Sequence, residues 1–414
     1  MSAGRIRHVP LGELLDRLID YRGKTPKKSA SGVKLVTAKV IKDGRIADCN
    51  HEYIPETDYD AWMRRGLPKQ WDIVITTEAP LGEVAMLRST ERVALAQRVI
   101  LLRANGRVAD QRYLFQALKS PLVQGRLRSR GTGTTVLGIK QSELVQVEIP
   151  IPPLDAQRRI ASILSAYDDL IENNTRRIAI LEEMARRIYE EWFVHFRFPG
   201  HERARMVDSE LGPVPEGWTI EPLNNLVDDV REAVDPESLD PDSPYVGLEH
   251  LPRRSIALSE WGEAGAVQST KLRFREGDIL FGKIRPYFHK VAVAPIAGVA
   301  SSDAIIIRPK QASCFALALS VVSSDAFIAH ATQTSNGTKM PRANWNVLRN
   351  YPVVLPIDHL KSRFDEFVNN SVATIKNFVR QNRNLRITRD LLLPKLISGE
   401  LDVSPLPEPE AVAA

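Results

Sequence analysis

The sequence predicts an α+β protein in which two mixed α/β domains are joined by two long antiparallel coiled-coil helices, with a pseudo-two-fold internal repeat. The first observation is a duplication: residues 337–356 repeat residues 133–152 with a shift of 204 residues, so that Pro356 matches Pro152. The second is that each copy leads directly into a long charged stretch with heptad spacing of apolar residues. Such spacing is typical of coiled-coil helices.

The first domain is expected over residues 1–153 and is rich in strands. Short apolar or alternating runs at 34–40, 71–77 and 93–104 are separated by Gly, Asp and Pro, as is typical of strands joined by turns. An amphipathic helix is predicted over 110–128, in which Pro121 is expected to break or kink the helix.

The second domain is expected over residues 205–357 and follows the same order. The run 276–283 is the counterpart of the strand at 71–77, and 300–309 is the counterpart of the following strand. A helix over 314–333 then matches the helix of the first domain. The duplication therefore covers strands, helix, loop and exit segment in one order.

The two charged stretches are predicted to be spacer helices, a central one over 154–204 and a distal one over 358–403. Pro394 is expected to end the regular part of the second helix. The tail 404–414 is rich in Pro, Glu and Ala and is expected to be disordered. The predicted apolar seam consists of Ile160, Leu164, Tyr167, Ile171, Asn174, Ile178, Leu181, Ile188 and Trp192 in the first helix and Phe364, Val368, Ile375, Phe378, Asn382, Leu385 and Leu392 in the second.

The two seams match best in an antiparallel register that places Asn174 opposite Asn382 and Trp192 opposite Phe364. A polar pair inside an apolar seam fixes the register of a coiled coil at some cost in stability. The alternative, that both Asn side chains reach solvent, stays open at this point.

Composition excludes several classes of protein. The chain has 414 residues, a formal net charge of +5 and two cysteines, Cys49 and Cys314, too few for a disulfide framework or a cysteine-based zinc site. The N-terminus has no apolar core of signal-peptide type, and no run approaches the ~20 apolar residues that cross a bilayer. We therefore expect a cytoplasmic protein that does not engage a membrane.

Motifs for chemistry are absent from the sequence. It contains no G-x-G-x-x-G fingerprint and no Asn/Asp-Pro-Pro-Tyr/Phe motif of amino-methyltransferases. The run 277–284 imitates a phosphate loop, but Ile284 stands where Ser or Thr is required. His195 and His201 match no common metal spacing. The sequence therefore predicts no catalytic residue and no metal site.

Four loops combine Lys and Arg with Thr, Asn, Gly and aromatic residues, at 21–32, 128–140, 282–290 and 336–345. Cations can hold phosphates, whereas Asn, Arg and Thr can contact base edges. For any single residue a solvated surface charge remains the alternative, and Trp345 fits the core equally well. The candidate DNA-binding residues are Lys24, Lys27, Lys28, Arg130, Thr132, Thr134, Lys140, Lys283, Arg285, Tyr287, His289, Lys290, Thr338, Lys339, Arg342, Asn344 and Trp345.

The segments that begin and end the two long helices resemble a known family. Pro152-Pro153 is followed by Gln157, Arg158 and Ile160 at the entry to the first helix, and the second helix closes with the segment 393–401. This pattern resembles the specificity subunit of type I restriction-modification enzymes over essentially the whole chain. The second entry, at His359, departs from the family's Gln-centred form.

The resemblance implies two target-recognition domains, each reading one half of a split target in double-stranded DNA, with helices that set the unread gap. Because the two domains differ in sequence, the target is expected to be asymmetric. The resemblance also implies partners: two modification subunits that carry S-adenosylmethionine and methylate adenine, and restriction/translocase subunits that use ATP and Mg, with no cofactor on this chain.

Other interpretations remain open at this point. The chain is alternatively an autonomous DNA-binding regulator, the detached recognition subunit of a fused restriction-methylation enzyme, or a cryptic enzyme. The charged outer face of the helices, with Arg158, Arg159, Arg176, Arg177, Glu182, Glu183, Arg186, Arg187, Glu190 and Glu191, is either a solvated face with i,i+4 pairs or a docking surface for the partner subunits.

Overall fold

The computed structural model of the chain describes residues 6–21, 23, 25–47, 51–133 and 135–407. Cys49 and residues 408–414 of the predicted disordered tail lie outside these residues. The described part of the tail, 404–407, includes a turn in which the Leu406 amide donates to the Val403 carbonyl at 3.1 Å.

The chain divides into two compact units. Unit 1 comprises residues 1–169 and 386–414, and unit 2 comprises residues 170–385. Both divisions fall inside a long helix, so the predicted boundaries between domains and separate spacer segments stay a prediction. The α-helices are α1 Tyr59–Trp62, α2 Gln111–Lys119, α3 Pro121–Ser129, α4 Gln141–Leu144, α5 Leu154–Tyr189, α6 Phe315–Val322, α7 Asp325–Gln333, α8 Trp345–Leu348 and α9 Asp358–Ser398.

Unit 1 is built on a four-stranded antiparallel sheet in the order β2-β10-β7-β8. A three-stranded sheet, β6-β3-β9, contains one parallel pair, β3 with β9, and β1 pairs with β11 before the chain enters α5. The strands are β1 Arg7–Pro10, β2 Leu15–Asp20, β3 Val33–Val36, β4 Ile41–Lys42, β5 Arg45–Ile46, β6 Glu52–Ile54, β7 Ile73–Thr77, β8 Leu81–Met86, β9 Val93–Leu95, β10 Val99–Ala104 and β11 Glu148–Ile151.

Both faces of the four-stranded sheet are buried, which explains why its central strands are continuously apolar. Ile73 and Ile75 of β7 contribute to the cluster that also contains α2 and α3 residues, whereas Val74 between them contributes to the cluster around β3. Successive residues of a strand point to opposite faces of the sheet. A strand without polar residues therefore requires other elements to pack on both faces. The predicted helix over 110–128 is two helices, because Ser120 caps α3 and Pro121 occupies its first position.

Unit 2 repeats this architecture with a sheet in the order β15-β23-β20-β21. A second sheet, β16-β19-β22-β17-β18, again contains one parallel pair, β17 with β22. Its strands are β12 Met206–Val207, β13 Val214–Pro215, β14 Thr219–Pro222, β15 Val227–Asp229, β16 Ala233–Val234, β17 Pro244–Val246, β18 Gly262–Glu263, β19 Lys271–Phe274, β20 Ile279–Gly282, β21 Val291–Val293, β22 Gly298–Ala300, β23 Ala304–Pro309 and β24 Pro352–Leu355.

One ion pair recurs in both central sheets. In unit 1, Arg103 Nε and Nη2 bind the two oxygens of Asp72 at 2.7 and 2.6 Å, and in unit 2 Arg308 binds Asp278 at 2.8 and 2.7 Å in the same way. Each Asp also accepts the amide of the residue three positions before it. The sequence matched these segments as counterparts but did not identify the ion pair, because the four residues lie far apart along the chain.

In unit 1, the first part of α5 and the last part of α9 contribute to one apolar cluster. Ile160 and Leu164 of α5 lie in this cluster together with Leu393 and Leu396 of α9. The expectation that Pro394 ends the helix is wrong: α9 continues to Ser398, because the buried side chains on either side of Pro394 hold the last turns in place. The helix ends instead at Gly399, whose φ of +76° suits glycine.

In unit 2, the rest of α5 contacts the rest of α9. Asn174 Nδ2 donates to Asn382 Oδ1 at 3.0 Å, and both side chains are buried. Trp192 lies in the π-helical segment Glu190–Val194 that follows α5, and the centre of its ring is 6.3 Å from that of Phe364. These are the pairs that the heptad register places opposite one another, and the alternative of solvent-exposed Asn side chains is wrong for this structure.

Within the described ranges, no single helix is both long and apolar enough to cross a bilayer, although the bent pair 312–322 and 325–333 meets that criterion jointly.

We expect the buried Asn pair to favour one register at a cost in stability. Replacing both residues in an Asn174→Leu, Asn382→Leu variant should raise the free energy of unfolding by roughly 1 kcal/mol, since two buried polar groups become apolar together. In the single Asn174→Leu variant the free energy of unfolding should instead fall by about 1–3 kcal/mol, because the buried Asn382 amide has lost its main hydrogen-bond partner. Chemical denaturation of the three proteins measures both effects, and a destabilised double variant would contradict the pairing.

A second prediction concerns Asp365 on α9. Burial raises the pKa of this carboxyl to about 6, and its Oδ1 has no hydrogen-bond partner. Because the native pKa exceeds the unfolded value, the native state binds the proton more tightly and stability falls as the pH rises from about 4 to 6. After a discount for solvent screening, Asp365→Asn should therefore stabilise the protein by about 1 kcal/mol at pH 8 and give no gain at pH 4.

The measurement is thermal unfolding at both pH values. Glu366→Gln, at the exposed neighbouring position, is the matched control and should leave the pH dependence unchanged. A pH-independent effect of Asp365→Asn would contradict the assignment.

Candidate nucleic-acid interface

The loop after α3 in unit 1 is fixed to the end of the central strand β7. Thr132 and Gly138 exchange backbone hydrogen bonds of 2.8 and 3.0 Å, and the Ile139 amide donates to the Thr77 carbonyl at 2.9 Å. Gly133 adopts a φ of +124°, and a Cβ there would lie 2.2 Å from the Val136 carbonyl oxygen. Only glycine fits this turn.

The loop after α7 in unit 2 has the same frame at positions 204 residues later. Asn336 and Arg342 exchange backbone hydrogen bonds of 3.1 and 2.9 Å, the Ala343 amide donates to the Lys283 carbonyl at 2.8 Å, and Gly337 has a φ of +97°. The repeat in the sequence therefore corresponds to a repeat of the hydrogen-bonded loop. We call these two loops, 132–139 and 336–343, the recognition loops.

The candidates of unit 1 lie mostly on the surface. Lys27, Lys28, Arg130, Thr132 and Lys140 are exposed, and Lys24 and Thr134 lie outside the described residues. Two of the cations have acidic neighbours: Lys28 lies 2.7 Å from Glu52, and Arg130 lies 2.9 Å from Glu143. Exposed ion pairs of this kind are weak, so both cations remain able to exchange a carboxylate for a phosphate.

The candidates of unit 2 fall into exposed and internal groups. Thr338, Lys339 and Arg342 in the recognition loop are exposed, and half of the Tyr287 side chain is accessible. Lys283 is half-buried, with Nζ donating to the Ser302 carbonyl and lying 3.8 Å from Asp303. The exposed residues are therefore the ones that a nucleic acid reaches first.

Arg285 and Lys290 are tied to their own unit. The Arg285 amide donates to the Pro341 carbonyl at 2.7 Å, and the guanidinium carbon lies 6.0 Å from the centre of the Phe288 ring. Lys290 Nζ donates to the Leu248 carbonyl, and burial lowers the pKa of this amine. These contacts within unit 2 hold the loop 282–290 in place. They therefore favour a structural role for Arg285 and Lys290 over a direct contact with DNA.

Three candidates are placed differently from the expectation. His289 is 8% exposed, its Nε2 lies 2.8 Å from the Ser323 carbonyl, and burial lowers its pKa, so the ring is unsuited to a direct contact with DNA. Trp345 is 8% exposed and belongs to the core of unit 2. Asn344 caps α8 by accepting the Asn346 amide at 3.0 Å, so its side-chain oxygen already has a partner.

The outer face of α5 also departs from expectation at Glu182. This carboxylate accepts hydrogen bonds from Ser255 Oγ at 2.7 Å and from the amides of Ile256 and Ala257 at 2.8 and 3.1 Å. Burial nevertheless raises its pKa. Glu182 thus joins α5 to the loop 255–257 within unit 2 and is unavailable to a docking partner. Arg186 and Arg187 remain exposed and pair with Glu183.

A largely buried charge cluster in unit 1, with side chains 12–14% exposed, was not expected from the sequence. Asp168 accepts from Gln116 at 2.7 Å, from Lys119 at 3.3 Å and from Arg389 at 2.6 Å. Burial alone would raise the pKa of Asp168, but the two cations hold it below its usual value. The heptad pattern gave no signal for this cluster, because it records apolar positions only.

A cleft of about 330 Å³ lies beside the recognition loop of unit 1. Its polar lining includes Glu78, Gln97, Thr132 and Lys140. Glu78 and Gln97 were not among the candidates, because neither lies in a basic loop. Among the residues that the structure describes, no group of three or more His, Cys, Asp or Glu side chains is placed to hold a metal ion.

The fold is a duplicated α/β unit with a glycine-dependent polar loop in each copy, an architecture suited to binding a partner at two places. Residues 66–183 match the family model described as "Type I restriction modification DNA specificity domain". The chain is 27% identical over 348 residues to the type I restriction enzyme MjaIX specificity subunit of Methanocaldococcus jannaschii, covering 81% of this chain and 78% of the relative. It is 30% identical over 158 residues to the MjaVIII specificity subunit of the same organism, covering 38% of this chain and 34% of that relative.

Among solved structures, the S subunit of the type I restriction-modification system from M. genitalium is similar with a TM-score of 0.56. The match covers 96% of this chain and 97% of that one at 14% identity. At this low identity it supports a similar fold and nothing further. The family model and the relatives agree in their description, so this chain is similar in sequence to type I restriction-modification specificity subunits. Specificity subunits of these systems are non-catalytic DNA-recognition subunits, as predicted for this chain from its sequence.

Proposed function

We propose that this chain is the subunit of a type I restriction-modification complex that selects a bipartite, asymmetric DNA target and positions the other subunits on it. The observation that carries the proposal is the recurrence of one hydrogen-bonded loop frame in two units with different side chains on it. Two similar frames can engage DNA in a similar way, while different side chains select different bases.

Phosphate contacts are assigned to the exposed cations of the two units, with Lys27, Lys140 and Lys339 as the leading candidates. The side chains of these residues are exposed, and the Lys140 carbonyl accepts the amides of Glu143 and Leu144 at 3.1 and 2.9 Å. Contacts of this kind fix the protein on the duplex without reading its sequence.

The helices α5 and α9 act, in this proposal, as an antiparallel coiled coil that sets the number of unread base pairs. All of the predicted seam residues are buried or half-buried, which supports this role. A helix over 155–192 is at most about 57 Å long, and one turn of duplex is ~34–36 Å. The spacer is therefore of the right scale to separate two contacts by one helical turn or somewhat more.

The partners follow from the proposed function. Two modification subunits would supply S-adenosylmethionine and adenine methylation, and restriction/translocase subunits would supply ATP- and Mg-dependent cleavage, all in the cytoplasm. The exposed Arg176, Arg177 and Arg187 of α5 are the surface that we assign to docking these subunits.

The proposal predicts that methylation of one bipartite motif depends on this gene. Single-molecule sequencing of methylated adenines in the host should detect the motif in the wild type and lose it when the gene is deleted. Complementation with the intact gene is the control. A methylation pattern that does not change on deletion, or a chain that recovers no methyltransferase when purified from the host, would favour an autonomous regulator instead.

The spacer role predicts a change in gap length when both helices are lengthened. One heptad inserted between Asp169 and Leu170 and another between Arg386 and Ile387 keeps the antiparallel register, since these points face each other in the predicted pairing. Seven residues add roughly 10 Å, so the unread gap should grow by about three base pairs at ~3.4 Å each.

Methylation mapping of this double-insertion strain measures the gap. The single insertion in α5 is the matched control and should abolish methylation, because it shifts Asn174 away from Asn382. An unchanged gap in the double-insertion strain would rule out the spacer role.

A further inference from the structure

The two recognition loops carry different charges on one backbone frame. Thr77 of unit 1 and Lys283 of unit 2 are equivalent, because each carbonyl accepts the amide of the residue that ends its recognition loop. Each of their own amides donates to the residue that precedes the next strand of the sheet, Arg98 in unit 1 and Asp303 in unit 2, at 3.0 Å in both cases. Equivalent positions thus hold an arginine in one unit and an aspartate in the other.

The neighbouring positions differ in charge as well. In unit 1, Arg98 Nε donates to Glu78 Oε1 at 2.8 Å, and the residue equivalent to Glu78 in unit 2 is Ile284. In unit 2, Arg342 Nη2 lies 3.9 Å from Asp303 Oδ1, and the residue equivalent to Arg342 in unit 1 is Gly138. Each unit therefore has one arginine–carboxylate pair, but the two pairs share only one position of the frame, which holds Arg98 in unit 1 and Asp303 in unit 2.

These pairs are accessible to a ligand. The side chains of Arg98 and Glu78 are 49% and 43% exposed, and those of Arg342 and Asp303 are 58% and 33% exposed. In unit 1, Glu78 also lines the cleft together with Gln97. We call the pairs Glu78–Arg98 and Asp303–Arg342 the rim pairs.

The chemistry of the rim pairs fits base edges better than phosphates. A carboxylate repels phosphate, whereas it can accept a hydrogen bond from the N4 amino group of cytosine, and an arginine can donate two hydrogen bonds to O6 and N7 of guanine. A carboxylate beside an arginine also holds the planar guanidinium in one orientation.

We propose that the rim pairs are specificity-determining residues, with Glu78–Arg98 reading base pairs in one half-target and Asp303–Arg342 reading base pairs in the other. This inference rests on the proposed function, since it names residues that perform the reading. It assigns Glu78, Arg98 and Asp303 a role that the basic loops alone did not suggest.

The test uses the full chain assembled with its modification subunits and the motif found by methylation mapping of the wild type. Binding is measured on the cognate duplex and on duplexes in which each recognised base pair is replaced in turn, at several salt concentrations. The variants are Arg98→Ala and Glu78→Gln in unit 1 and Arg342→Ala and Asp303→Asn in unit 2. The controls are Arg92→Ala and Arg231→Ala, which remove the ion pairs of exposed arginines that do not belong to the rim pairs.

We expect each unit 1 variant to lose about tenfold to 100-fold in discrimination at one or two positions of a single half-target. The unit 2 variants should show the same loss in the other half only. The slope of affinity against salt should not change, and both controls should behave as the wild type.

Three results would overturn the inference. These are unchanged discrimination in all four variants, loss in both halves from one variant, and uniform weakening on every duplex with a shallower salt slope, which is the behaviour of a phosphate contact. A wild type without any gene-dependent motif would overturn the proposed function instead.

Folding is checked by the melting temperature of each variant. Any alanine variant that melts below the wild type is replaced by Arg98→Lys or Arg342→Lys, which keeps the charge but loses the planar fork. The lysine variants should show the same loss of discrimination between duplexes. Unchanged discrimination in a lysine variant that melts like the wild type would contradict the inference.

Discussion

The attachment of each recognition loop to the end of a central strand is the constraint on which the proposed function depends. In both units one backbone amide of the loop donates to a carbonyl at the end of that strand, that of Thr77, the last residue of β7, or of Lys283, which follows β20. Backbone hydrogen bonds do not depend on the identity of the side chains, apart from the glycine that the turn requires. The loop can therefore keep its shape while its exposed residues change.

Polar groups inside the long helices serve a related purpose. The Asn174–Asn382 hydrogen bond, the Glu182 carboxylate on the loop 255–257 and the Asp168 cluster each satisfy a buried polar group with specific partners. Such groups add little net stability, since burial costs about as much as the contacts return. If one helix shifted by a single residue, each of these polar groups would lose its partner. The contacts therefore disfavour alternative registers.

Periodicity explains how much of the fold was predictable from the sequence. Alternation and heptad spacing identified the central strands, the two long helices and the residues that face Asn382 and Phe364. Local patterns did not identify the burial of His289 and Trp345, because a short loop with His, Asn and Trp reads equally as surface or core. The effect of Pro394 was overestimated for a related reason: packing of Leu393, Leu396 and Ile397 outweighs one missing hydrogen bond.

The candidate site shows the same division between local and long-range information. Basic residues in the loops were visible in the sequence, because a cluster of Lys and Arg is a local feature. Glu78, Arg98 and Asp303 were not, because their equivalence emerges only when strands from distant segments are paired. Substitutions at such exposed positions on a fixed frame typically change stability by less than about 0.5 kcal/mol. Under the proposed function, this placement allows base-reading residues to change without loss of the fold, which accounts for the different side chains of the two copies at these positions.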